Sequence, residues 1–153
     1  LVHHKSLKYA EQLGDDFWCG RNADQISTIY YNFNHNSDAF HYAQLAHDYI
    51  KKSGRQPFLN HAIFELSHAY YEQGKYDEAL PLAKNALDSA LKYNDEELYI
   101  NAKIIIADCH YSFQQYDEMI DDYNEILKLT YQPDYVGLLG MAYLKKWKST
   151  KTK

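Results

Sequence analysis

At 153 residues the chain is long enough for one domain with a continuous core, and with 46% hydrophobic and 24% charged residues it has the composition of a globular protein. Its net charge of −5 is uneven: with Lys145, Lys146, Lys148, Lys151 and Lys153 set aside, residues 1–144 carry −10, which argues against direct nucleic-acid binding by this segment. There is no run of about 18 apolar residues to span a membrane, the first ten residues lack a signal peptide's apolar core, and two cysteines, Cys19 and Cys109, fit a reducing, cytoplasmic setting better than a disulfide framework.

Apolar spacing of three and four predicts helices near 1–13, 21–33, 37–53, 57–73, 77–93, 96–113, 117–130 and 134–148. Breakers separate them at Gly14, Gly20, Gly54-Arg55-Gln56-Pro57, Gly74, Asn94-Asp95 and Gln132-Pro133. Within 60–73, Ile63, Leu66, Ala69 and Tyr70 form one face, with Phe64 on its flank. Asp77, Glu78, Asp117 and Glu118 fall in the first turns of two of these helices, where the macrodipole favours negative charge. Strand signals are nearly absent.

The chain repeats itself at an offset of 40 residues. Tyr31, Tyr71 and Tyr111 are equivalent, as are Ile26/Leu66/Ile106, Ser27/Ser67/Ala107, Tyr30/Tyr70/His110, Ala39/Ala79/Met119, Phe40/Leu80/Ile120, Ala43/Ala83/Tyr123 and Ala46/Ala86/Ile126. The small members of these sets would let neighbouring helices approach closely. The clearest unit, from Leu66-Ser67 through Tyr70 and the turn at Gly74 to Ala79, Ala83 and Ala86, resembles a tetratricopeptide repeat, or TPR. Gln115-Tyr116-Asp117-Glu118 repeats the turn without its glycine, and the first unit, with Asn34-His35-Asn36-Ser37-Asp38-Ala39, is degenerate. The expected fold is therefore all-α, a right-handed superhelical solenoid of antiparallel helix pairs. Residues 1–20 would be the tail of a preceding repeat, 21–133 three TPR-like pairs, and 134–153 the first helix of a partial repeat with a lysine-rich tail. Opening and closing mid-repeat, the chain reads as a fragment of a longer protein, whose cut faces at Leu7 and Tyr9 and at Leu139 and Tyr143 should be exposed and associate end to end.

The resemblance implies that first helices line a concave, peptide-binding surface. Carried through the register, that lining comprises Arg21/His61/Asn101, Asp24/Phe64/Ile104, Gln25/Glu65/Ile105, Thr28/His68/Asp108, Tyr31/Tyr71/Tyr111 and Asn32/Glu72/Ser112. Ligand contact is expected at Tyr31, Phe64, His68, Tyr71, Asn101, Asp108 and Tyr111, with the tyrosines as aromatic anchors and Asn101 on peptide backbone. Each of those rings competes with a purely packing role across a helix seam. The basic clamp by which chaperone-binding TPR domains hold a carboxylate is missing: Asp24, Thr28, Glu65, Asn101 and Ile105 stand at its positions. Asp24, Glu65, Glu72 and Asp108 against Arg21 alone imply a neutral or basic ligand.

Forty-residue units resemble the lengthened repeats of peptide-sensing domains in Gram-positive quorum-sensing regulators, and also those of eukaryotic motor and polarity adaptors. Two functions are expected from this: a sensor of a short regulatory peptide within a larger protein, or a passive scaffold docking a protein partner. A third, the regulatory part of a phosphatase, would need catalytic residues elsewhere. The sequence itself offers no enzyme signature and implies neither cofactor nor metal. It has no His-Glu-x-x-His, no Cys-x-x-Cys, no phosphate loop and no nucleophile elbow. His61 and His68 share a helical face, adjacent Cys109 and His110 point about 100° apart and form no nucleophile–base couple, and His110 reads as a hydrogen-bonded core histidine.

Overall fold

The structure, a computed structural model, describes residues 2–130 and 133–151, without the side chains of 133–135. The breaker expected at Gln132 and the last tail lysine, Lys153, lie outside the described residues. Among the described residues eight helices follow one another: α1 (Val2–Leu13), α2 (Asp16–Asn32), α3 (Asn36–Ser53), α4 (Gln56–Glu72), α5 (Tyr76–Tyr93), α6 (Glu96–Ser112), α7 (Tyr116–Leu129) and α8 (Pro133–Lys151). No strand occurs among the described residues.

The 40-residue period is written into the backbone. The turns α2–α3, α4–α5 and α6–α7 each place one residue in the left-handed region, at Asn34 (φ 59°), Gly74 (φ 70°) and Gln114 (φ 61°). In each, the N–H of that residue bonds the carbonyl of the equivalent tyrosine, Tyr31, Tyr71 or Tyr111, at 2.8–3.0 Å. The alternate turns do the same at Gly14 (φ 66°), Gly54 (φ 69°) and Asn94 (φ 54°). Left-handed backbone costs Asn little and Gly nothing, which is why these types recur at helix ends; Gln114 bears the steric cost instead. Asp15 and Asp95, again 80 residues apart, cap α2 and α6 by accepting from Trp18 N at 3.1 Å and Leu98 N at 3.0 Å.

Each helix packs on its neighbours in the chain, and α4 packs in addition on α6. The seams are floored with alanine: Ala39, Ala43, Ala46, Ala79, Ala83, Ala86 and Ala90 on α3 and α5 are all buried. Buried serines tie the seams. Ser27 Oγ donates to the Ala39 carbonyl at 2.7 Å, and its equivalent Ser67 donates to the Ala79 carbonyl at 2.9 Å. In the third pair, Ala107 replaces the serine and the facing alanines become Met119 and Tyr123, so that seam is filled by bulk; both of those side chains are fully buried.

Gly20 is not a breaker. It lies in the second turn of α2, which begins at Asp16 rather than at 21. A Cβ on Gly20 would stand 2.6 Å from Ile50 Cγ1, 2.7 Å from Ile50 Cδ1 and 3.0 Å from the Ile50 nitrogen, so the glycine is there to let α2 and α3 approach. Its equivalent pair is Asn60 with Ala90: where the first helix carries nothing the second carries isoleucine, and where the first carries asparagine the second carries alanine.

The outermost faces also differ in part from expectation. Leu7 is buried with Ala10, Cys19 and Ile26, and Leu139 packs with Leu138 against the core of Ala107, Met119, Ile120, Tyr123, Ile126 and Ala142. The residues left open on α1 are Val2, Tyr9 and Leu13, and on α8 Val136, Met141, Tyr143, Leu144 and Trp147.

Candidate functional site

A cleft of about 350 Å³ opens where α2 faces α4. Thr28, Tyr31 and Asn32 come to it from α2, Asn36 and Ala39 from α3, Phe64, Glu65, His68, Ala69 and Glu72 from α4, and Asn101 from α6. Its volume falls at the lower end for a ligand site. The α4 residues recur at three and four, so one face of that helix forms the wall, and its rings Phe64 and His68 sit within a row that runs on to His61 and Tyr71 outside the cleft, with successive centroids 6.4 Å, 6.3 Å and 6.4 Å apart. Tyr31 meets that wall edge-on over His68 at 4.7 Å.

One departure from the repeat stands beside the opening. In the second and third pairs a tyrosine starts the second helix, and it lies against the equivalent ring at the end of the first: Tyr71 with Tyr76 at 5.8 Å, Tyr111 with Tyr116 at 6.2 Å. The first pair has Asn36 at that position, so the space beside Tyr31 is not filled by a ring. Asn36 instead donates a long bond, 3.5 Å, to Glu72 Oε2.

Electrostatically the cleft is acidic. Among the described residues no lysine or arginine lines it. Burial lowers the His68 pKa, outweighing the Glu72 charge that raises it, and so favours the neutral imidazole. Burial also raises the Glu65 carboxyl; the His61 contact pulls it down and the Asp24 charge pushes it further up. Tyr31 is raised by burial and then by the Glu72 and Glu65 charges. Just beyond, Asp24 is buried and paired with Arg21 at 3.3 Å through Oδ2, while its Oδ1 has no hydrogen-bond partner among the described residues, His61 Nδ1 standing 3.9 Å away.

Of the residues expected to contact a ligand, Tyr31, Phe64, His68 and Asn101 thus share one cleft. Tyr71 and Asp108 lie one interface further along, close enough to perturb one another's ionisation. Burial and the Asp108 carboxylate raise the Tyr71 hydroxyl, while Asp108 is raised by burial and pulled back by the Tyr123 and Tyr71 hydroxyls, the former donating to Asp108 Oδ1 at 2.8 Å. The same two register positions therefore meet in both interfaces: Tyr31 over His68 in one, Tyr71 near Asp108 in the next. Tyr111 stands at neither; it is 37% exposed beside Tyr116, with Lys145 Nζ 5.8 Å from its ring. Sequence reasoning left out Asn36, whose signal was its departure from Tyr76 and Tyr116.

A second polar cluster joins α6 to α7. Lys103 Nζ bonds Asp122 Oδ1 at 2.8 Å and Glu125 Oε2 at 2.7 Å, and His110 Nδ1 pairs with Asp122 Oδ2 at 2.7 Å. Its members satisfy each other at short range, as a structural network does. Burial alone would lower Lys103, but the bonds and charges of Asp122 and Glu125 outweigh it and raise the ammonium pKa. His110 is the bonded core histidine its position suggested. Among the described residues no three His, Cys, Asp or Glu side chains are grouped as a metal site, and no helix is long and apolar enough to cross a membrane. A wider, more open hollow of about 590 Å³ between Ala90–Glu96 and Glu125–Leu129 gathers fewer converging groups than the α2–α4 cleft.

Comparison of the chain with protein-family models and with curated proteins found no match to either.

Proposed function

We propose that the chain is a peptide-binding module of the tetratricopeptide-repeat type, a right-handed superhelical solenoid of antiparallel helix pairs whose first helices, α2, α4 and α6, present the binding surface, and that it serves as the ligand-sensing regulatory domain of a larger protein. Support for the solenoid comes from the doubled 40-residue turn pattern and from packing that is mainly between chain neighbours, with successive first helices also meeting, α2 on α4 and α4 on α6. The observation that carries the binding role is the cleft itself: side chains from three successive first helices, Tyr31 of α2, Phe64 and His68 of α4 and Asn101 of α6, converge on one opening. Aromatic faces supply contact area, and the amides of Asn32, Asn36 and Asn101 offer both donors and acceptors to a peptide backbone.

The sensor reading rests on where the cleft lies. The backbones of α2 and α4 approach less closely than those of α4 and α6, and meet through side chains such as Phe17 on Phe58 and Tyr31 on His68. A peptide seated between them adds contacts that depend on their spacing, which is the differential interaction a conformational response requires. The close α4–α6 packing favours instead a passive scaffold for that half of the array. Selection from a displayed random-peptide library, repeated on His68→Ala and Asn101→Ala variants, tests the binding role. Enriched peptides should bind these variants about 10-fold more weakly or worse, as hot-spot truncations do. Peptides indifferent to both changes would place binding on another face.

A further inference from the structure

We infer that the α2–α4 cleft recognises a dibasic segment, two arginine side chains in an extended peptide, with Glu72 and Glu65 as their anionic partners and Tyr31 and Phe64 as the flanking rings. This rests on the peptide-binding reading above and names the chemistry of its ligand.

The first ground is incomplete satisfaction. Asp122, in the α6–α7 network, is saturated by bonds of 2.7–2.8 Å. The two cleft glutamates are not. Among the described residues, Glu65 has His61 Nε2 at 3.6 Å, and Glu72 has His68 Nε2 at 3.7 Å and Asn36 Nδ2 at 3.5 Å, with the Tyr31 hydroxyl within reach. Charge-assisted bonds to carboxylates settle at about 2.7–2.9 Å, so both side chains retain acceptor capacity facing a cavity. The second ground is the uncompensated field. Among the described residues, Glu65 and Glu72 line a cleft without lysine or arginine, and Asp24, buried just behind His61, keeps an oxygen with no donor. Arg21 is committed to the other Asp24 oxygen. A cation entering here restores balance; an anion adds repulsion.

Geometry then selects the ligand. Glu65 and Glu72 are seven residues apart on one helix face, about 10.5 Å along the axis at 1.5 Å per residue, too far for one head group. Same-face residues two apart in an extended chain stand about 6.6 Å apart, and long flexible side chains make up the remainder. Arginine suits the site better than lysine because its planar fork grips a carboxylate bidentately and stacks on aromatic faces, both of which the cleft offers.

The test titrates isotope-labelled protein with acetyl-Gly-Arg-Gly-Arg-Gly-amide and with its neutral citrulline counterpart, which keeps shape and loses charge. The arginine peptide should shift backbone amides of residues 28–36 and 64–72 and bind at least 10-fold more tightly than the citrulline peptide. Its affinity should fall at least 3-fold in Glu65→Gln and in Glu72→Gln, at least 10-fold in the double variant, and with added salt in the parent. Circular dichroism of the variants confirms that the helices are retained. Equal binding of both peptides at the cleft overturns the dibasic inference while leaving the peptide-binding reading standing. Shifts confined to other surfaces, undiminished binding by the double variant, or no binding of either probe at millimolar concentration overturn the inference too, and the library selection then decides the broader reading by itself.

Discussion

Gly20→Ala sets two known effects against each other at one position. In a helix interior, replacing glycine by alanine gains about 1 kcal/mol from backbone entropy. Here the new methyl would stand 2.6 and 2.7 Å from side-chain carbons of Ile50 and 3.0 Å from its nitrogen, and Ile50 is itself only 2% exposed. Beside the side chain lies a cavity of about 10 Å³ among Arg21, Asp24, Phe58, His61 and Ala62, too small to take up the displacement, and the nitrogen can move only with α3. Overpacking of this kind costs about 1–3 kcal/mol, so the net change lies between about zero and 2 kcal/mol of destabilisation. In an Ile50→Ala background the two closest contacts are gone, only the 3.0 Å approach to the nitrogen remains, and the same substitution should become neutral or stabilising. Gly140→Ala is the natural control. Nothing lies within 4 Å of its added methyl, so the propensity gain should appear undiminished. Urea denaturation followed by circular dichroism measures all of these, and the coupling between positions 20 and 50 should be about 1–3 kcal/mol. A stabilised Gly20→Ala, or a coupling indistinguishable from zero, would refute the close approach of α2 and α3 at this point.

Three further outcomes follow from the side-chain networks. Asp122→Ala removes the shared partner of Lys103 and His110, all three nearly buried, and should cost about 3–5 kcal/mol in urea melts; a loss under about 1 kcal/mol would mean the network is not formed. Because burial holds the Glu65 carboxyl above its usual 4.5, its contribution to stability is present below that value and lost as pH rises through the raised one. Glu65→Gln should therefore melt higher than the parent at pH 7, with the difference shrinking toward pH 4, and an advantage that grows on acidification contradicts the assigned environment. Cys19 and Cys109 are 1% and 0% exposed, and burial pushes the Cys109 thiol up to about 12. Neither should react with Ellman's reagent at pH 8 until denaturant unfolds the chain, and fast labelling of the native protein would show the packing to be looser than described.

The helices were legible because their apolar spacing and their turn residues agree, whereas the left-handed Gln114, at the register position of Gly74, carries no local signal for that conformation and was not expected. Gly20 was misread because glycine is ambiguous in isolation: it either ends a helix or admits a neighbour. The register held the answer, since its equivalent Asn60 lies inside the next first helix, and the register equivalent of large Ile50 is small Ala90. Leu7 and Leu139 were expected on outer faces because a helix cut from an array exposes one side, but periodicity alone does not say which side. Half of the candidate site was legible for a similar reason. Equivalence put Tyr31, Tyr71 and Tyr111 on one footing, whereas the cavity lies beside an asymmetry, Asn36 in place of Tyr76 and Tyr116, that a search for sameness passes over.

The central claim is that this asymmetry creates a peptide site. Filling it tests that most directly: Asn36→Tyr restores the ring found at the start of α5 and α7 and should close the cleft without disturbing the helices around it. Binding of a library-selected peptide, measured by isothermal calorimetry on parent and variant, should fall at least 10-fold in Asn36→Tyr while the thermal midpoint is held or raised. Unchanged affinity in a folded Asn36→Tyr variant would contradict the assignment and place the site elsewhere on the array.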